Sequence, residues 1–201
     1  MKTHRISIQI FILSIVLLLS GCGIFSLHPL FHKNDLLVNT DIIGTWQSDT
    51  ETNTFVFIDT LKDHMYSFTL INDKDTVAFV MGLMKLNDQY FIDLFPDGDC
   101  SFFDGDCEGL DNMWRNYIPV HTFMKFDIID DKIALTEFDN DRLIKLFHEN
   151  KIRLAHEIPG DKDDDDAYVV ITASTDDLQK FITRYSNDKD AFDETEKYHR
   201  L

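Results

Sequence analysis

The chain is short of membrane-length apolar sequence, of positive charge and of cysteine. Residues 6–19 are mostly apolar, but there are only fourteen of them, against the roughly 20 that a spanning helix needs. Lys and Arg together number 19 against 36 Asp and Glu, a net charge of −17. A surface of that sign repels phosphate backbones and anionic headgroups, which argues against nucleic-acid binding. The acids are spread over many turns, so their first consequence is a soluble, self-repelling surface. Of three cysteines, Cys100 and Cys107 lack the tight spacing of zinc ligands, and no second pair exists. No Ser or free Cys is paired in sequence with a His, which leaves covalent catalysis without a nucleophile. There is no internal repeat, and no Gly/Ser-rich stretch divides the chain, so its length points to one domain.

What is present begins at the start. Lys2 and Arg5, with no acid, precede the apolar stretch, and Leu19-Ser20-Gly21-Cys22 closes it. A positive start, a short apolar core and small residues before a cut make a secretory signal. The final tetrad resembles the bacterial lipobox. That resemblance implies cleavage after residue 21 and a diacylglyceryl group on the thiol of Cys22, with the new amine open to further acylation. The thiol matters because it is the side chain nucleophilic enough to accept the lipid. Two or three acyl chains, at about 0.8 kcal/mol per buried CH₂, hold a domain on a bilayer. Gly23 is not the acidic residue that would favour inner-membrane retention, so the expected address is an outer membrane, facing the periplasm or the cell surface. The mature chain, 22–201, then carries a net charge of −19, since Lys2 and Arg5 leave with the signal. With Cys22 lipidated, Cys100 and Cys107 remain as a pair in an oxidising compartment. A disulfide is favoured there over free thiols, closing a short loop for about 2 kcal/mol.

The body reads as mainly β. Residues 22–40 are a tether that becomes ordered, with Leu27-His28-Pro29-Leu30-Phe31 packing on the rest. Short segments at 55–59, 66–70, 77–86 and 90–95 are joined by Asn/Asp-rich turns, the pattern of antiparallel hairpins. Tyr66, Phe68 and Leu70 alternate with Ser67 and Thr69, as in a half-buried strand. Residues 77–86 are apolar on both parities, so both faces of that strand must be covered. Gly82 in its middle points to a bend. Residues 118–129 read as a long strand with Val120, Thr122, Met124, Phe126 and Ile128 on one side, and 133–138 return. Leu143, Leu146 and Phe147 then mark a short amphipathic helix over 141–150, capped by Asp139. Strands follow at 152–158 and 168–172. Ser174 opens a helix with Leu178, Phe181, Ile182 and Tyr185 as its buried stripe. Residues 188–201 read as a polar tail. Seventeen Phe require a substantial apolar interior and exclude disorder. About nine strands curl to remove exposed edges. The expectation is an antiparallel up-and-down β-barrel or half-barrel over 41–187, with a short inserted helix and a C-terminal helix.

Gly44-Thr45-Trp46 entering a first strand, followed by a meander and a helix, is similar to the lipocalin and calycin group. That resemblance implies an indole, Trp46, plugging the closed end and a late Arg packed on it. Thr136-Glu137-Phe138 weakly resembles the group's second motif, and Arg153 is a candidate for the late Arg. The mature chain also resembles a group of uncharacterised bacterial lipoproteins. The matching stretches are residues 26–31, Ile43-Gly44-Thr45-Trp46, Pro119-Val120-His121-Thr122-Phe123, Leu154-Ala155-His156-Glu157 and Leu178-Gln179-Lys180-Phe181. This second resemblance brings no activity with it.

Three groups of polar residues deserve weighing. His28, His121, His156 and Glu157 are acid–base or ligand candidates if the fold gathers them, although a lone strand His is more often a satisfied, half-buried residue. Asp104, Asp106 and Glu108 precede Gly109 with the spacing of a calcium loop, but Arg115 stands where a bidentate Glu is needed; starting at Asp97 restores Glu108 and puts Phe102 in the Gly position. A metal site is therefore not expected, and neither is a cofactor. The acidic run 163–166 reads as a hairpin tip in water. The function expected from the whole is non-catalytic: a lipid-anchored envelope module binding an apolar small molecule or lipid. The alternative is an envelope assembly protein acting through a protein partner, motivated by the doubly apolar residues 77–86 and by 27–31.

Overall fold

The hairpins close on themselves. The computed structural model describes residues 25–72, 75–97, 118–129, 131–159 and 168–201. Seven consecutive antiparallel strands form a meander: β2 (Gly44–Ser48), β3 (Thr54–Thr60), β4 (Tyr66–Asn72), β5 (Asp75–Leu86), β6 (Gln89–Pro96), β7 (His121–Ile129) and β8 (Lys132–Thr136). An eighth strand, β11 (Glu196–Arg200), fits between β8 and β2 and completes a closed barrel. Closure pairs every barrel strand on both sides and leaves no free edge within the ring. The β5–β6 hairpin turns on Asn87 and Asp88, both at positive φ (49° and 63°). That is the primed two-residue turn whose twist matches its strands, and Asn and Asp tolerate it better than most residues.

Residues 188–201, expected as a tail, are thus the closing stave. They begin with a 3-10 turn, Lys189–Ala191, and end in β11. Tyr198 is the single apolar member of that strand, so hydropathy does not mark it. The expected strands at 152–158 and 168–172 contract to β9 (His156–Glu157) and β10 (Val170–Ile171), and the long strand begins at His121 rather than at 118. A further short strand, β1 (Phe25–Ser26), pairs with the start of β7 and runs parallel to β10. Strands β1, β10 and β9 form a flap extending from β7 where β7 has parted from β8.

Helix α1 (Asn140–His148) is capped by Asp139, whose carboxylate accepts from the Arg142 N–H. Helix α2 (Thr175–Tyr185) is capped by Ser174. Both lie outside the barrel, and α2 is followed by β11 rather than by the end of the ordered chain.

There are two apolar cores. One fills the barrel around Trp46, Tyr66, Phe68, Met81, Ile92 and Phe126. The other lies between the outer wall of β5–β7 and the helices, with Leu30, Met84, Phe91, Phe123, Phe147 and Ile182 in it. Together they explain the double parity of β5: Met81 and Leu83 face in, Met84 faces out. Gly82 is a point of close approach. A Cβ there would lie 2.8 Å from Phe31 Cε1 and 3.1 Å from Leu36 Cδ2, because residues 29–39 cross this wall as a belt. Leu30 N–H donates to Asp93, and Thr175 Oγ1 and Gln179 Nε2 donate to the carbonyls of Pro29 and Leu30. Further along, Leu37 N–H donates to the Leu83 carbonyl.

Candidate binding site: the barrel interior and its mouth

The strand ends sort into two rims. The belt enters at one, with the 3-10 turn Thr40–Ile42 and the β3–β4, β5–β6 and β7–β8 connections. This end is closed. Trp46 is buried, and its indole N–H donates to the Ile42 carbonyl at 3.0 Å. Arg200 lies over the ring with its guanidinium carbon 4.1 Å from the centre, and donates to the Ile43 and Asp41 carbonyls. The late Arg is therefore Arg200, in β11, and not Arg153, which lies between α1 and β9. Gly44 sits at φ +148°, and a Cβ there would strike Nη1 of Arg200. The Gly of the Gly-x-Trp stretch thus makes room for the Arg as well as for the backbone. Tyr66 adds to the plug: its hydroxyl accepts from the Asn39 N–H at 2.6 Å.

The opposite rim holds the β2–β3 and β4–β5 connections and the start of β11. Around it the wall is chemically divided. On β4 and β5 the inward Leu70, Val77 and Phe79 are only partly buried. On β2, β3 and β11 the lining is polar. Ser48 Oγ donates to Glu196 Oε1 at 3.0 Å and accepts from the Thr50 and Glu51 N–H groups. Thr54 Oγ1 donates to Glu51 Oε2 at 2.8 Å. Tyr198 is buried beside them, and its phenol is pushed well above its ordinary pKa, first by burial and then by the charge of Glu196. It stays protonated across the physiological range. The mouth is thus acidic and hydroxyl-rich on one side and apolar on the other. Such a lining, among the described residues, can hold a ligand.

The histidines do not converge. His121, Ser26, Ile171 and His156 stand in one lateral row across β7, β1, β10 and β9. Three strand spacings of about 4.8 Å separate the two histidines by about 14 Å. His156 rests on the Phe147 ring at 4.4 Å, and its Nδ1 is bound to the Leu154 carbonyl. Glu157 and His28 are exposed. His121 Nδ1 lies 2.7 Å from Asp93 Oδ1, beneath the belt. Burial raises the Asp93 pKa, and His121 and the Leu30 N–H oppose that rise. Ser26 stands beside His121, so the residue types of a hydrolytic triad share one patch. The Ser26 hydroxyl, however, is buried and donates to the His28 carbonyl. The patch fastens the belt to the barrel wall. Of the site candidates named from sequence, Trp46 lies in the barrel's interior, and His121, His156 and Glu157 do not. Sequence reasoning passed over the mouth residues Ser48, Glu51, Thr54, Glu196 and Tyr198, although the parity of Glu196, Tyr198 and Arg200 in the supposed tail was a usable signal.

Cys22, Cys100, Cys107 and the calcium-like stretch from Asp104 lie outside the described residues. Among the described residues no group of three or more His, Cys, Asp or Glu is placed to hold a metal ion, and no helix is long and apolar enough to cross a membrane. No protein-family model, curated protein or solved structure matches the chain.

Proposed function

We propose that this chain is a lipid-anchored module of the cell envelope, held on an outer membrane through acylated Cys22, that takes an apolar small molecule or lipid into the open half of its barrel. The observation that carries the reading is the contrast between the two halves of the interior. Trp46, Tyr66, Met81 and Phe126 fill the closed half and are buried, whereas the inward Leu70, Val77 and Phe79 near the mouth keep exposed apolar surface. An eight-stranded barrel has an interior large enough either to be filled or to hold one small ligand. The acidic rim favours a neutral or cationic apolar ligand over an anionic one. The outer face of β5 supplied the motive for a protein partner. At Gly82 and Met84 it is covered by the chain's own belt and α2. Native mass spectrometry of the protein purified from its cells tests the binding reading: a co-purifying apolar molecule is expected, and an empty chain that takes up no apolar probe ends it. Labelled palmitate tests the anchor, and its absence from residue 22 removes that half of the proposal.

A further inference from the structure

The flap of β1, β9 and β10 has two unlike faces. Ser26, Ile171 and His156 point one way, Ser26 and Ile171 fully buried and His156 resting on Phe147. Phe25, Leu27, Tyr168 and Val170 point the other way and belong to neither apolar core; the exposed Glu157, paired with Val170, bounds this face at the outer strand β9. Leu27 and Tyr168 are 41% and 40% exposed, and Phe25 meets Tyr168 edge-on at 5.8 Å. The register sets this face beside the mouth. Leu94 pairs with Thr122, Thr122 with Phe25, and Phe25 with Val170. Lateral neighbours in a sheet share a face, so the inner wall of the barrel at β6 and β7 continues onto the exposed side of the flap.

Chain length says what lies against it. Phe25 is three residues beyond Cys22, and three residues span at most about 10 Å. A lipid on Cys22 therefore keeps the flap at the membrane surface. We propose that this apolar face of the flap rests on the bilayer that holds the lipid of Cys22, so that the barrel mouth opens toward the membrane. The proposal rests on the lipid-anchor reading. Tyr168, with an apolar body and a polar tip, suits the headgroup boundary. The lipid surface is zwitterionic, since a mature chain of net charge −19 repels anionic headgroups. An apolar ligand then passes between bilayer and barrel along the row of Leu94, Thr122, Phe25 and Val170.

Carbene footprinting of the full-length, lipidated chain in phosphatidylcholine vesicles tests this contact. Ile128 and Ile129, on the β7–β8 hairpin at the closed end, are 42% and 44% exposed and serve as matched controls. Leu27 and Tyr168 are expected to label at least threefold less than these two in vesicles, and equally in the Cys22→Ser chain in solution. Replacing half of the lipid with phosphatidylglycerol is expected to narrow the difference. Equal labelling in vesicles, with the lipid on Cys22 confirmed by the mass of the N-terminal peptide, overturns the contact and leaves the anchor standing. Suppressed labelling in the Cys22→Ser chain as well assigns the cover to the chain itself or to a second copy, and overturns the proposal. An N-terminal peptide without lipid removes the anchor and the contact together.

Discussion

Arg200 lies with its guanidinium carbon 4.1 Å from the centre of the Trp46 ring and donates to the carbonyls of Ile43 and Asp41. The penultimate residue of the chain thereby fastens the entry into the first barrel strand. A cation over an indole contributes about 0.5–2 kcal/mol, and two charge-assisted hydrogen bonds add to it.

Arg200→Ala is accordingly expected to lower stability by about 1–3 kcal/mol, read as a lower urea midpoint with an unchanged slope. In a Trp114→Phe background the remaining Trp46 emission is expected to shift to the red. Arg200→Lys recovers less than half of the loss, because an ammonium lacks the planar fork that reaches both carbonyls. A wild-type midpoint in Arg200→Ala would show that the barrel closes without this clasp.

The belt crossing gives a second test, with a sign that separates it from strand propensity. Gly to Ala inside a strand ordinarily stabilises, since Gly loses more backbone freedom on folding. At Gly82 the added Cβ would meet Phe31 Cε1 at 2.8 Å, so Gly82→Ala is expected to destabilise by about 1–3 kcal/mol, the usual cost of overpacking. Phe31→Leu in the same chain should return part of that loss. Additive effects in the double-mutant cycle would break the assigned contact.

Much of this fold is legible in the sequence, and what is not follows a physical pattern. Alternation in Tyr66, Phe68 and Leu70 marks β4, Asn87-Asp88 marks a hairpin, and the spacing of Leu178, Phe181 and Ile182 marks α2. These are local signals, and they place most of the barrel. The missed features are made between distant segments. Strand β11 has one apolar residue and earns its place by pairing on both sides with β8 and β2. The close approach at Gly82 is missed because sequence cannot reveal that Phe31 arrives above it. Arg153 and Arg200 are equivalent candidates for the indole until topology brings one of them to the closed end. For the site, the Gly-x-Trp stretch located the plug, while the mouth lay partly inside the supposed tail.

Asp93 carries a pH prediction. Its carboxyl is buried, with Oδ1 2.7 Å from His121 Nδ1 and Oδ2 accepting from the Leu30 N–H, and burial raises its pKa above the ordinary value. The folded state therefore holds this proton more tightly than the unfolded chain. Between the ordinary aspartate pKa, about 3.9, and the raised one, the folded state binds more protons. The contribution of Asp93 to stability then falls as pH rises through that window. Asp93→Asn is expected to remove this slope, seen as the difference between wild-type and variant midpoints across mildly acidic pH. Asp93→Ala, which strands the Leu30 N–H and the His121 ring, is expected to cost about 3 kcal/mol. A constant difference between wild type and Asp93→Asn at all pH values would show that the group titrates alike in both states.

The mouth supplies the prediction closest to function. If the open half of the barrel holds the ligand, narrowing it must weaken binding while the plug keeps the fold. Leu70→Trp adds an indole on the apolar wall, on β4, two strands across the row from Trp46. Affinity for a neutral apolar fluorescent probe is expected to fall at least tenfold, about 1.4 kcal/mol, with the urea midpoint unchanged. Glu196→Gln acts on the other wall. Removing one charge from the rim shared with Glu51 is expected to raise the affinity for an anionic apolar probe and to leave the neutral probe nearly unaffected. Titration of both probes against both variants separates the effects: size lives on the β4–β5 side, charge on the β2–β11 side. Unchanged titrations in Leu70→Trp would place any bound molecule elsewhere on the domain.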